Sequence, residues 1–120
     1  IKLERYQKII LGAMKQSLQF HLPKINDLTL FKEAIEVEAQ QKFIAHCEEQ
    51  KQRTELFEVI KRNRSYALLI GPEGDFNSPE IDLALQNNFK PISLGKTRLR
   101  TETAAIAACH SFSIKNSHLC

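Results

Sequence analysis

The sequence predicts an α/β fold: a parallel sheet flanked by helices. Three short apolar runs with strand character, "KFIAHC", "YALLIG" and "KPISLG", alternate with helix-like segments from Lys42 to the C-terminal region. Such alternation is typical of strands that lie parallel and are covered by the helices between them. The chain has 120 residues, of which 42% are hydrophobic and 26% charged, a balance typical of one globular domain.

Two helices are predicted before this alternation begins. Residues 5–20 have apolar side chains at helical spacing, which predicts one dry face, and Pro23 ends the helix soon afterwards. Residues 28–40 form a second predicted helix, with Thr29 as its N-cap.

Three more helices are predicted within the alternation, over residues 53–63, 78–88 and 101–114. Their predicted N-caps are Thr54, Ser78 and either Thr101 or Thr103, and Pro79 suits a first helical position. The run "YALLIG" is short and continuously apolar, so it predicts a strand covered on both faces.

Several classes of protein are disfavoured by composition. No apolar run approaches the roughly 20 residues that cross a bilayer, and the first residues lack a signal-peptide pattern, so we expect a cytoplasmic protein without a membrane partner. Three widely spaced cysteines predict neither a disulfide framework nor a metal site; each is expected to be a buried or terminal thiol.

Positive charge is gathered in two clusters, "KRNR" at residues 61–64 and "KTRLR" at residues 96–100, within a net charge of +3. Either cluster could meet a polyanion, and the second lies in a predicted loop. Both could equally be solvated surface, and charge alone does not decide between these interpretations.

Glycine-bearing loops follow two of the predicted strands. The first is Gly71-Pro72-Glu73-Gly74, and the second contains Gly95. In open α/β sheets ligands bind beyond the carboxyl ends of the strands, so the two loops could bracket one. Each could also be a plain turn, since neither matches a dinucleotide or phosphate-binding motif.

Two long motifs resemble a known family. "LLIGPEGDFNSPEI" and "PISLGKTRLRTETAAIAA" are similar to the paired signature of the RsmE-type 16S ribosomal RNA (uridine-N3) methyltransferases of the SPOUT superfamily, and "ERYQKIILGAMKQSLQFHLPKI" is similar to that family's upstream segment. The chain departs from the pattern at Asp75, at Thr97-Arg98, and at Gln19 and His21, where the family often has arginines.

The resemblance implies a fold, an activity and an assembly. It implies methyl transfer from S-adenosylmethionine to N3 of a uridine in the small-subunit (16S) ribosomal RNA, on a trefoil-knot domain that forms a homodimer. It also implies that residues 1–120 are the methyltransferase domain from the C-terminal part of a longer protein, incomplete at its own N-terminus and without the family's RNA-binding β-barrel.

Site residues follow from the same resemblance. Arg100 is expected to stabilise the uracil anion and Glu102 to accept the N3 proton, provided that it is buried. Leu94 and Leu99 are expected to sandwich the adenine. The expected cofactor-binding residues are Ile70, Gly71, Glu73, Gly74, Leu94, Gly95, Leu99, Thr101 and Ala104, and the expected RNA contacts are Lys15, Gln16, Ser17, Lys96 and Arg98.

Other interpretations stay open at this point. A related enzyme could methylate another RNA or a ribose 2'-hydroxyl through similar loops, or the chain could be a non-catalytic domain that binds RNA or a protein partner. His46, His110 and His118 are expected to be non-catalytic, with His110 a core residue. No metal is expected.

Overall fold

A computed structural model describes residues 3–18, 21–46, 53–72, 75–95 and 99–117. The chain divides into two compact units, Ile1–Leu30 and Phe31–Cys120. No helix within the described ranges is long and apolar enough to cross a membrane. The elements are, in order, α1 (Leu3–Gln16), α2 (Phe31–Ala34), β1 (Gln41–Ala45), β2 (Thr54–Glu55), α3 (Leu56–Val59), β3 (Tyr66–Ile70), α4 (Ser78–Gln86), β4 (Lys90–Ser93) and α5 (Thr101–Lys115).

The first unit contains the long helix α1. The helix begins before the predicted residue 5 and ends at Gln16, short of the predicted residue 20. Leu18 follows it with a left-handed φ of 58°, which ends the helical geometry. None of its residues is buried, so the expected dry face is wrong for this chain: Tyr6 and Ile9 are exposed, and Ile10 and Met14 are only partly buried.

The second unit is built on a parallel sheet with the strand order β2-β4-β1-β3. In the register of the central strand β1, Ala45 lies opposite both Ile70 of β3 and Ile92 of β4. Thr54 of the short strand β2 pairs with Ile92 from the other side. Because all four strands are parallel, their carboxyl ends share one side of the sheet, here called the carboxyl edge.

Successive residues of β1 divide the core between the two faces of the sheet. Ile44 packs with Ile81 and Ala84 of α4, and its neighbour Phe43 packs on the other face with Ala108 of α5. This is the period-two alternation expected of a strand covered on both sides. The predicted α/β class, a parallel sheet flanked by helices, is therefore confirmed.

Strand β3 lies at an end of the sheet order. All five of its residues are only partly buried, although the sequence predicted a strand covered on both faces. The difference arises because a terminal strand has a neighbour on one side only, β1 in this case.

Two predicted helices are much shorter than expected. The segment at residues 28–40 forms only the single turn α2, after which Ile35 is buried and Val37 is exposed. Thr29 bonds to the Asp27 carbonyl and caps nothing. The segment at residues 53–63 begins instead with strand β2, since the backbone of Thr54 pairs with Ile92, and Glu55 rather than Thr54 precedes α3.

The other two caps also differ from prediction. Asn77, not Ser78, caps α4: its Oδ1 accepts from the Glu80 amide at 2.9 Å, and Glu80 Oε1 accepts from the Asn77 amide at 2.9 Å. This reciprocal capping box moves Pro79 to the second helical position. Arg100 stands at the N-cap of α5 without a side-chain cap bond, so neither Thr101 nor Thr103 caps that helix.

Candidate active site

A pocket opens at the carboxyl edge, where the two glycine-bearing loops meet. Its space amounts to about 570 Å³ when open solvent is included. The floor is the row Ile92, Ala45 and Ile70, one residue from each of three adjacent strands. The sheet therefore supplies an apolar base, and the loops supply the walls.

The first wall is the turn after β3. Gly71 is buried, and a Cβ atom placed on it would lie 3.2 Å from both the ring and the backbone nitrogen of Phe76. The Asp75 amide donates to the Pro72 carbonyl at 2.8 Å, and Asp75 has a left-handed φ of 65°. A side chain at position 71 would therefore crowd Phe76 where the chain returns, and no left-handed backbone calls for glycine there.

The second wall follows β4. Gly95 has a φ of 115°, a conformation that residues with a Cβ atom rarely adopt, and open space where that atom would be. Leu94 and Leu99, the residues expected to sandwich an adenine, both line the pocket and are partly buried.

A hydrogen bond joins the two walls. The Thr101 hydroxyl donates to the Gly71 carbonyl at 2.9 Å. Thr101 is the first residue of α5, and Gly71 is the first residue after β3. The hydroxyl therefore fixes the distance between the start of the last helix and the end of the edge strand.

Most of the expected cofactor residues come together here. Ile70, Gly71, Leu94, Gly95, Leu99, Thr101 and Ala104 line the pocket. Glu73 and Gly74 lie outside the described residues.

The two expected catalytic residues do not line the pocket. Arg100 and Glu102 are exposed at the start of α5, on either side of the pocket residue Thr101. The carbonyl of Arg100 accepts from the Ala104 amide at 2.8 Å, which fixes its backbone. Their catalytic roles stay predictions.

The expected RNA contacts lie in separate parts of the chain. Lys15 and Gln16 are exposed at the end of α1, and the Ser17 hydroxyl donates to the Ala13 carbonyl at 2.8 Å. Lys96 and Arg98 lie outside the described residues. The RNA-binding assignments therefore stay predictions.

Other residues line the pocket without having been expected there: His46, Arg53, Asp75 and Ser93, beside Pro72 of the predicted loop. His46 is 3% exposed, and Arg53 Nη1 donates to its backbone carbonyl at 2.6 Å. His46 falls inside the predicted strand "KFIAHC", whereas the observed strand β1 ends at Ala45 and leaves His46 at the carboxyl edge. Arg53 carries no signal in the sequence because β2 is not predicted.

Two expectations about α5 are wrong. His110, expected in the core, is exposed, and so is Cys109, because the helix buries only the face that carries Ala104 and Ala108. The other two cysteines and His118 lie outside the described residues. Among the residues that the structure describes, no group of three or more His, Cys, Asp or Glu is placed to hold a metal ion.

The chain matches known proteins in sequence. Residues 1–113 match the model of a family described as the RNA methyltransferase domain. The ribosomal RNA small subunit methyltransferase E 1 of Borreliella burgdorferi is 36% identical over 83% of this chain and 42% of that protein.

Solved structures agree with the sequence matches. A methyltransferase structure from Legionella pneumophila with bound cofactor SAM superposes with a TM-score of 0.88, at 31% identity, over 98% of this chain and 48% of that one. A ribosomal RNA small subunit methyltransferase E from Neisseria gonorrhoeae, bound to S-adenosyl methionine, gives 0.79 at 26% identity, over 95% and 47%.

The chain thus spans about half the length of the relatives that it matches. The predicted resemblance to the RsmE-type enzymes is confirmed, since further relatives with the same name match most of this chain. Because residues 1–113 match the model of that family, this chain belongs to the RNA methyltransferase domain family.

Proposed function

We propose that the chain binds S-adenosylmethionine in the carboxyl-edge pocket and transfers its methyl group to N3 of a uridine in the 16S RNA of the small ribosomal subunit. The observation that carries the proposal is the joining of both glycine-bearing loops, through Thr101 and Gly71, over an apolar floor. Two similar structures, described by their names as methyltransferases, hold this cofactor.

The lining suits such a ligand. Leu94, Leu99 and Ile70 offer apolar surface to an adenine, and the backbone at Gly95 has open space around it for close hydrogen bonds. The sulfonium supplies an already activated methyl group, so the task of the protein is to align the uracil nitrogen and to favour loss of its proton.

Arg100 and Glu102 are the residues that we assign to that proton loss. A guanidinium stays charged and can hold the uracil carbonyls as negative charge develops. Both side chains are exposed in this chain, so RNA bound over the start of α5 would have to cover them. Glu102 acts as the proton acceptor only in that covered state.

The first experiment measures cofactor binding directly. The chain is titrated with S-adenosylmethionine by calorimetry, beside the variants Gly95→Trp and Gly12→Trp. Both glycines have open space at the Cβ position, but only Gly95 lines the pocket and has a positive φ. Saturable binding that is lost in Gly95→Trp and kept in Gly12→Trp is expected; no binding by the folded wild-type chain would contradict the cofactor proposal.

The second experiment identifies the product. Assembled small subunits are incubated with the chain and the cofactor, and the modified nucleoside is identified by mass spectrometry. Methyl-uridine carrying the group on N3 is expected, because the proposed residues act on the base. A 2'-O-methylated nucleoside would instead support a ribose methyltransferase. Binding of RNA without any methylation would support a non-catalytic RNA-binding domain.

Assembly and location complete the proposal. We propose a homodimer with a trefoil knot, working in the cytoplasm. The exposed apolar residues Ile106 and Ile114 on α5 support the dimer, since a partner chain would remove them from water. Light scattering of the purified chain measures its mass in solution, and a monomer at high concentration would contradict the dimer.

A further inference from the structure

A loop on the side of the sheet opposite the pocket carries positive charge, and hydrogen bonds from side chains hold its backbone at several points. Residues 61–65, here called the basic loop, connect α3 to the start of β3. Because all strands are parallel, the loop lies at the amino edge of the sheet, about 16 Å along β3 from the pocket. Lys61, Arg62 and Arg64 are exposed on it.

The first part of the basic loop is held by β1 and β3. Gln41 Oε1 accepts from the Lys61 amide at 2.8 Å, while its Nε2 donates to the Val59 carbonyl at 2.9 Å. The Tyr66 hydroxyl donates to the Lys61 carbonyl. Both backbone polar groups of Lys61 are therefore occupied by side chains from the sheet.

The middle of the loop is held by α5. Asn63 has a left-handed φ of 57°, and its amide donates to Asn116 Oδ1 at 2.8 Å. Asn116 Nδ2 in turn donates to the Phe112 carbonyl at 2.8 Å and to the Tyr66 hydroxyl at 2.9 Å. Asparagine is among the non-glycine residues that adopt this conformation most readily, and these bonds hold Asn63 in it.

The end of the loop is held by the residue before β1. The Ser65 amide donates to Gln40 Oε1 at 2.9 Å, and the Gln40 amide donates to Ser65 Oγ at 2.9 Å. An exposed loop of five residues is thus bound at three points along its backbone. These bonds restrain the backbone from which the basic side chains project.

The basic side chains are held among backbone carbonyls. Arg62 Nη2 donates to the Ser117 carbonyl at 3.1 Å, and Arg64 Nη1 donates to the Arg62 carbonyl at 3.2 Å. Lys115, in the last turn of α5, lies with its ammonium 4.4 Å from the ring centre of Phe57. These carbonyl bonds orient the guanidinium groups.

We propose that the basic loop is a second contact surface for the phosphate backbone of RNA, separate from the pocket. Guanidinium groups on a fixed backbone suit phosphate oxygens, which position a protein on RNA without reading its sequence. The proposal rests on the loop alone and needs no methyl transfer. Together with the proposed pocket, it implies that a bound RNA contacts both edges of the sheet.

The test compares two triple variants with the same loss of charge. Lys61→Gln/Arg62→Gln/Arg64→Gln removes the loop cations, and Lys8→Gln/Lys24→Gln/Lys32→Gln removes three exposed lysines elsewhere. Binding of fluorescein-labelled oligouridylate to the wild-type chain and to both variants is measured by anisotropy over a series of salt concentrations. Thermal unfolding checks that both variants fold, and titration with S-adenosylmethionine reports on the pocket separately.

The expected result is a weaker affinity, by roughly tenfold or more at low salt, for the loop variant only. The slope of log K against log salt should also fall by about 2, since each lost contact to a single strand contributes about 0.7. Cofactor binding should be unchanged, because the pocket lies at the other edge.

Two results would overturn the proposal. One is an equal loss of RNA affinity in both triple variants, which would show that the loop contributes no more than other exposed positive charges. The other is unchanged RNA binding by the loop variant; weaker binding of polyglutamate by the same variant would then indicate an acidic protein partner. If the loop variant unfolds, two double variants replace it. Arg62→Lys/Arg64→Lys keeps the positive charge of the loop, whereas Lys61→Gln/Arg64→Gln removes two charges. Only the second double variant should then bind RNA more weakly.

Discussion

At the scale of single residues, the hydroxyl of Thr101 has the most direct link to the proposed activity. It donates to the Gly71 carbonyl and so sets how far apart the two pocket walls lie. Thr101→Val keeps the shape and removes the donor, so cofactor affinity should fall by up to about tenfold, the scale of one hydrogen bond. Calorimetry measures this, and Thr101→Ser should restore binding; equally weak binding by both variants would contradict the role of the hydroxyl.

Gly71 and Gly12 make a second matched pair. An added methyl group meets Phe76 at 3.2 Å at Gly71 and meets nothing within 4 Å at Gly12. Gly71→Ala should therefore lower the free energy of unfolding by about 1–3 kcal/mol through overpacking. Gly12→Ala should raise it by up to about 1 kcal/mol, because alanine is the better helix former in the middle of α1.

Chemical denaturation gives both values. The opposite signs make the pair informative, since a general effect of adding a methyl group would move both variants in the same direction. Equal stability of wild type and Gly71→Ala would show that the turn after β3 yields easily and that the contact with Phe76 does not require glycine.

At the scale of elements, helix α4 depends on its cap. Asn77→Ala removes the side chain that accepts from the Glu80 amide, and we expect a loss of about 1 kcal/mol in the free energy of unfolding. Asn77→Asp keeps an acceptor and adds charge that suits a helix N-terminus. Denaturant titration should give similar free energies of unfolding for wild type and Asn77→Asp, and a lower one for Asn77→Ala. Equal destabilisation of both variants would show that loss of the capping bond is not the cause of the lower stability.

The elements also show what local sequence predicts. Strands β1, β3 and β4 and helices α4 and α5 follow from apolar runs of suitable length. The cap of α4 was assigned one residue late because Asn77 and Ser78 are both good caps, and only the bond to Glu80 decides between them. Strand β2 was mistaken for helix because its partner, Ile92, lies far along the chain.

At the scale of the whole molecule, the pocket is assembled from segments that are distant in sequence. The strand order β2-β4-β1-β3 brings His46, Gly71 and Gly95 to one edge. The two loops were predictable because their glycines interrupt apolar runs. His46 and Arg53 were not, because their place in the pocket depends on which strands are neighbours.

Cofactor binding should stabilise the whole chain. A ligand bound only by the folded state, at a concentration 100 times its Kd, adds about 2.7 kcal/mol to the free energy of unfolding. Thermal unfolding with and without S-adenosylmethionine measures this as a higher Tm, and Gly95→Trp should show no increase. An unchanged Tm in the wild-type chain at saturating concentration would contradict binding to the native fold.

The register of the strands determines which side chains form the floor of the pocket. Ala45 lies between Ile92 and Ile70, so the smallest of the three side chains stands at the centre of the row. The three residues share one face only while the strands keep this alignment. Sliding β3 by one residue against β1 would turn Ile70 towards the opposite face and remove it from the row. The shape of the floor is thus set by backbone pairing in the sheet, and the proposed ligand would meet that shape beneath the loops.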